Sequence, residues 1–150
     1  SVVRGSLGRM YGKLSEHDLA ILLPSIIKAT QKLAPSNEMF ADGIRMAGID
    51  MLSKYHITEG MQLCIDVIDP DRWGGAKRYE KSLACLGRYG GNARPLVPQL
   101  QKMREALGKA KKKGEEDPNA LALDKVIAAI QADNNPSKLQ TAAEFIKKNK

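Results

Sequence analysis

The chain has 150 residues and carries 24 Lys and Arg against 17 Asp and Glu, a net charge of +7. That length fits one domain with a continuous core and is short for two. An apolar fraction of 43% and a charged fraction of 27% fit a folded, water-facing protein, and no apolar run reaches the roughly 20 residues of a membrane span.

Aromatics make up only 5% of the chain, and Leu, Ile, Ala, Val and Met fill the apolar positions. This is helix-core chemistry, so the expected fold class is all-α. Ser1 stands where an initiator Met would, and residues 1–12 read as part of a helical repeat. No charged-apolar-small signal pattern occurs there. The chain therefore reads as a segment of a larger protein.

Ser15 predicts the cap of a helix over 16–33, with Leu19, Leu22, Leu23, Ile26, Ile27 and Leu33 on one stripe and a kink at Pro24. A second helix is expected over 37–55, with Phe40, Ile44, Ala47, Met51 and Leu52 facing inward. A shorter one over 59–68 carries Met61, Leu63, Cys64, Val67 and Ile68, and Asp69-Pro70 stops it. After Trp73-Gly74-Gly75, residues 76–89 present Tyr79, Leu83 and Leu86. Gly90-Gly91-Asn92 then supplies a left-handed stop and a new cap. The next helix is expected to carry Pro95 in its first turn and to run through Val97, Leu100, Met103 and Leu107. Asp117-Pro118 and Asn135-Pro136 predict two further starts, for helices over 119–132 (Leu123, Val126, Ile127, Ile130) and 137–147 (Leu139, Ala143, Ile146).

One turn recurs. Leu7-Gly8-Arg9-Met10-Tyr11-Gly12, Leu52-Ser53-Lys54-Tyr55-His56 and Leu86-Gly87-Arg88-Tyr89-Gly90 share a Leu, a small residue, a base and a Tyr. The second and third copies lie 34 positions apart, the first and second 45. Helix pairs that cannot bury their apolar faces alone stack into a shared core.

Leu86-Gly87-Arg88-Tyr89-Gly90 followed by Ala93-Arg94-Pro95-Leu96-Val97-Pro98-Gln99-Leu100 resembles the turn and second helix of a HEAT repeat. It is similar in particular to HEAT-repeat regions of uncharacterised bacterial proteins. The resemblance covers residues 1–113 and implies an α-solenoid of about three HEAT-like helix pairs. Residues 114–150 depart from it and are expected to form a divergent C-terminal helical cap. Tetratricopeptide repeats are the rival, because Leu7-Gly8 with Tyr11 fits their signature. The later copies set Tyr only three residues after Leu, which favours HEAT. HEAT repeats imply partner surfaces and no shared reaction.

Cys64 and Cys85 sit at apolar helical positions and read as buried thiols. His17 and His56 lie in different repeats with no motif around them, and no metal, phosphate-loop or nucleophile motif occurs, so no cofactor is expected. Asp66, Asp69 and Asp71 read as solvated helix-end acids. HEAT-like DNA glycosylases, which use Trp, Asp and Arg on a basic concave face, are a remote enzymatic precedent.

The recurring Arg9, Lys54 and Arg88 fit either helix-dipole partners or an anion-binding ridge. Tyr11, Tyr55 and Tyr89 read as turn packing. Trp73 with Arg72 admits two readings, a lid over the seam between repeats or an exposed interface anchor.

Charge gives the sharpest functional signal. Residues 71–113 hold twelve bases and three acids, an excess of nine, while 1–70 and 114–150 each carry a net charge of −1. Such a field attracts anionic partners. The expected binding residues are Arg72, Trp73, Lys77, Arg78, Arg88, Arg94, Lys102 and Lys109. The expected function is a non-catalytic scaffold for another protein, or for another region of its own parent, with an acidic surface preferred. Anion or nucleic-acid binding is the alternative.

Overall fold

The structure, a computed structural model, describes residues 14–31, 39–68, 75–110 and 117–149; at 39–42, 75–78 and 108–110 it describes the backbone alone. Among the described residues seven α-helices run in order: α1 (Glu16–Gln31), α2 (Met39–Lys54), α3 (Glu59–Asp66), α4 (Gly75–Gly87), α5 (Val97–Ala110), α6 (Pro118–Ala132) and α7 (Ala142–Lys148). A 3-10 turn, Gly90–Leu96, joins α4 to α5. No strand occurs among the described residues, and one isolated parallel bridge links Ile57 to Gln140.

The caps follow from the sequence. Ser15 Oγ accepts from the Asp18 amide (3.1 Å) at the start of α1. The Asp117 carboxylate accepts from the Asn119 amide (2.9 Å) and Pro118 fills the first helical position of α6, where a missing N–H costs nothing. Gly90, at φ +56°, supplies the left-handed stop expected after α4. Pro24 lies inside α1, on its exposed side.

One core runs through all seven helices. Leu19, Leu23 and Ile26 of α1 meet Ile49 and Leu52 of α2 and Leu63 and Cys64 of α3. Tyr79, Leu83 and Leu86 of α4 continue it into Leu100 of α5 and Leu123 and Ile130 of α6. In helix terms, α1 packs on α2 and α3, α2 on α3 and α4, α3 on α4, and α6 on α4, α5 and the 3-10 turn. Close approach between α1 and α2 depends on Gly48, where a Cβ would run into the Thr30 hydroxyl.

Three expectations are corrected. Leu22 is 40% exposed, because the α1 stripe is narrower than its apolar residues and centres on Leu19, Leu23 and Ile26. Asn92 does not cap α5: it lies in the 3-10 turn and its side-chain amide donates to the Ser137 carbonyl; Pro95 belongs to that turn and α5 begins at Val97. Asn135-Pro136 starts no helix. Residues 133–141 are irregular, and α7 begins at Ala142 behind a capping box in which the Glu144 amide donates to Thr141 Oγ1 (3.1 Å) and the Thr141 amide to Glu144 Oε1 (3.2 Å). The buried face of α7 is therefore Ala142 and Phe145, with Ala143 exposed.

The C-terminal stretch runs back across the turns. Asp133 meets Gly91, Ser137 meets Asn92, Gln140 meets residues 55–58, and Asn149 meets His17. α7 consequently packs on α1, at the far end of the sequence.

Candidate binding surface

The basic excess of residues 71–113 divides into two kinds of side chain. Arginines of the turns are exposed but bonded to acceptors within the chain. Arg88 Nη1 forms an ion pair with Asp50 (2.9 Å), donates to the Asp50 carbonyl (2.9 Å), and donates to Ser53 Oγ (3.0 Å). It thus covers the last turn of α2, where free carbonyls concentrate negative potential. Arg94 does the same for α6: its Nη2 donates to the carbonyls of Asp133 (2.6 Å) and Gln131 (3.3 Å) and to Asn134 Oδ1 (3.1 Å). Arg104 Nε pairs with Asp124 (3.0 Å) across the α5–α6 contact.

The acids in these contacts come from the two flanks that each carry a net charge of −1. Part of the apparent ligand field is therefore the chain's own electrostatic stitching. Arg45 of α2 follows the same logic in the interior: it is 3% exposed, and its Nε donates to the Thr30 carbonyl (3.0 Å) at the end of α1. Nothing in the local sequence of α2 distinguishes it from a surface arginine.

The lysines behave differently. Lys102 of α5 and Lys81 of α4 are exposed, with no ion pair to another described residue. Lys77 and Arg78 open α4 and Lys109 closes α5, with their side chains outside the described residues, as are Arg72 and Trp73 altogether. Of the expected site residues, Lys102 is exposed with no ion pair to another described residue, while Arg88 and Arg94 are exposed and also bonded within the chain.

Aromatics in this region face inward. Tyr79 is 3% exposed and Tyr89 is fully buried. Tyr89 Oη donates to the Ile57 carbonyl (2.7 Å), and burial pushes its ionisation well above the ordinary tyrosine range. Tyr55 lies against Phe145 (ring centroids 5.3 Å apart), and Lys54 Nζ sits 5.5 Å from the Tyr55 ring. Tyr55 and Tyr89 thus have packing duties, while Tyr11 and Arg9 lie outside the described residues.

Cys64 and Cys85 are free and buried, and burial raises both above the ordinary thiol range. His17 Nδ1 donates to the Asn149 carbonyl (2.7 Å), and the His56 ring stands edge-on to Tyr89 at 6.3 Å. Asp66 accepts from Gln62 Nε2 (3.0 Å), whereas Asp69 and Asp71 lie outside the described residues. Among the described residues no group of three or more His, Cys, Asp or Glu is placed to hold a metal, and no helix is long and apolar enough to cross a membrane. Comparison with family models, with curated proteins and with solved structures gives no match for this chain.

Proposed function

We propose that the chain is a non-catalytic, HEAT-like helical scaffold that binds an acidic protein surface through the outward lysines of residues 71–113. The observation that carries the reading is the division among the bases. Arg88, Arg94 and Arg104 are held by internal acceptors, while Lys81 and Lys102 project to solvent. A field made by solvated lysines attracts anions without the rigid bidentate geometry that arginine gives phosphate.

Two layers support the HEAT-like part. First helices α2, α4 and α6 neighbour one another in order. Of the second helices, α1 packs on α3, and Gln62 of α3 bonds Gln99 of α5 (3.1 Å). Acidic protein is preferred to single-stranded nucleic acid because Tyr79 and Tyr89 are buried and offer no stacking platform. Duplex binding needs phosphate contacts alone and is the second reading.

The test is titration of an acidic polypeptide, duplex DNA and single-stranded RNA at several salt concentrations. Charge reversal of Lys81, Lys102 and Lys109 is expected to weaken acidic-polypeptide binding at least tenfold, and reversal of Lys28 to leave it unchanged. Tight duplex binding with a steep salt slope overturns the choice of partner. Equal loss from both variants overturns the location.

A further inference from the structure

We infer that Cys64 and Cys85 form a redox latch: an intramolecular disulfide between them, made by exchange with a small-molecule disulfide, locks α3 onto α4. Helix register supplies the placement. A Cβ at Gly60 would run into the Tyr89 hydroxyl and into Leu52, so the first turn of α3 lies against the residue two positions past the end of α4. α3 and α4 pack directly on each other, and this contact makes the pair antiparallel. One turn onward from Gly60 stands Cys64; one turn back from Tyr89 stands Cys85. The register therefore sets the two thiols opposite each other.

Their surroundings agree. Cys64 is 1% exposed and Cys85 5%, within one apolar cluster that also holds Leu63, Leu86 and Tyr89. A charge on Cys85 opposes ionisation of Cys64 more than any other charged group does, and both thiols act on Tyr89. A disulfide needs Cβ atoms about 4 Å apart, and Gly60 omits the side chain that would hold α3 away.

The step is thiol–disulfide exchange, with oxidised glutathione as the model oxidant. Burial opposes ionisation of Cys85, but Ser53 and Arg88 beside it favour the thiolate, so Cys85 attacks first. It bonds to one glutathione sulfur and expels the other glutathione as a thiolate. The Cys64 thiolate then attacks the Cys85 sulfur and expels the second glutathione. Two protein thiols lose two electrons and two protons, and one glutathione disulfide becomes two thiols. Both cysteines are closed to solvent, so the exchange runs through an opening of α3, a helix of eight residues. Once made, the bridge stops that opening.

The experiment equilibrates the full chain in buffers of graded reduced-to-oxidised glutathione ratio, in water and in concentrated urea. Reduced and oxidised chains are both used as starting points until the two approaches agree. Alkylation, intact mass and peptide mapping read the bridge. The Cys64–Cys85 pair is expected to show an effective thiol concentration at least about tenfold higher in the folded chain than in urea. Hydrogen exchange in α3 is expected to slow by at least about tenfold in the oxidised chain. An effective concentration no higher in the folded chain than in urea means that the fold holds the thiols apart, and overturns the inference. Bridges formed only between chains overturn it too. A bridged chain whose α3 exchanges at the reduced rate overturns the latch.

Discussion

Tyr89 fills the core with its ring and satisfies the buried Ile57 carbonyl with its hydroxyl. Tyr89→Phe keeps the ring and removes one of two donors to that carbonyl, the Gly60 amide (2.9 Å) remaining. A loss of about 0.5–1.5 kcal/mol in urea unfolding is expected, with no change in helix content at low denaturant. Arg88 tests the division among the bases. Its pair with Asp50 is partly solvated, so Arg88→Ala is expected to cost about 1 kcal/mol or less and to leave acidic-polypeptide binding unchanged. A parallel fall in binding at unchanged fold would return Arg88 to the binding surface. These roles were hidden at the level of the sequence for one reason. An arginine reads as a surface charge until its acceptor is known, and the acceptors of Arg88 and Arg94 lie 38 and 39 positions away.

Helices are set locally, and the locally signalled ones were legible. The 3.6-residue stripes, the Ser15 and Asp117 caps and the Gly90 stop placed six of the seven helices with the correct order. The miss at residues 133–141 is instructive. Asn135-Pro136 has the composition of a helix start, and Thr141-Ala142-Ala143-Glu144 has it too, in the more specific capping-box form. Tertiary contacts chose between them, because Gln140 is held in pairing with residues 55–58.

Asp133 secures the beginning of this stretch by accepting from the Gly91 amide (2.8 Å) and the Asn135 amide (3.1 Å), and those bonds hold its carboxyl below the ordinary aspartate range. A carboxylate depressed in the folded state stabilises above the unfolded pKa, and the contribution is lost as pH falls through the folded one. Wild type is therefore expected to melt above Asp133→Ala at pH 6, with the gap shrinking as pH falls below the ordinary aspartate range. A gap that stays constant down to pH 2 would remove Asp133 as the acid-sensitive pin.

At the scale of the molecule, the returning stretch separates this chain from a plain stack of helix pairs. Chains ending at Ala132 lose the α7 cover on α1 and the Gln140 pairing at residues 55–58. Hydrogen exchange is expected to accelerate in α1 and around Ile57, far along the sequence from the cut, and to change little in α5, which α7 does not cover. Uniform acceleration would indicate global destabilisation instead. In a stack whose units touch only their neighbours, folding can begin anywhere and spread one pair at a time. Here the contact between His17 and Asn149 spans 132 positions. Such distant closure raises contact order and slows the final step. During synthesis α1 leaves the ribosome before α7 and waits, its cover still unmade, until the residues through Lys148 have followed it.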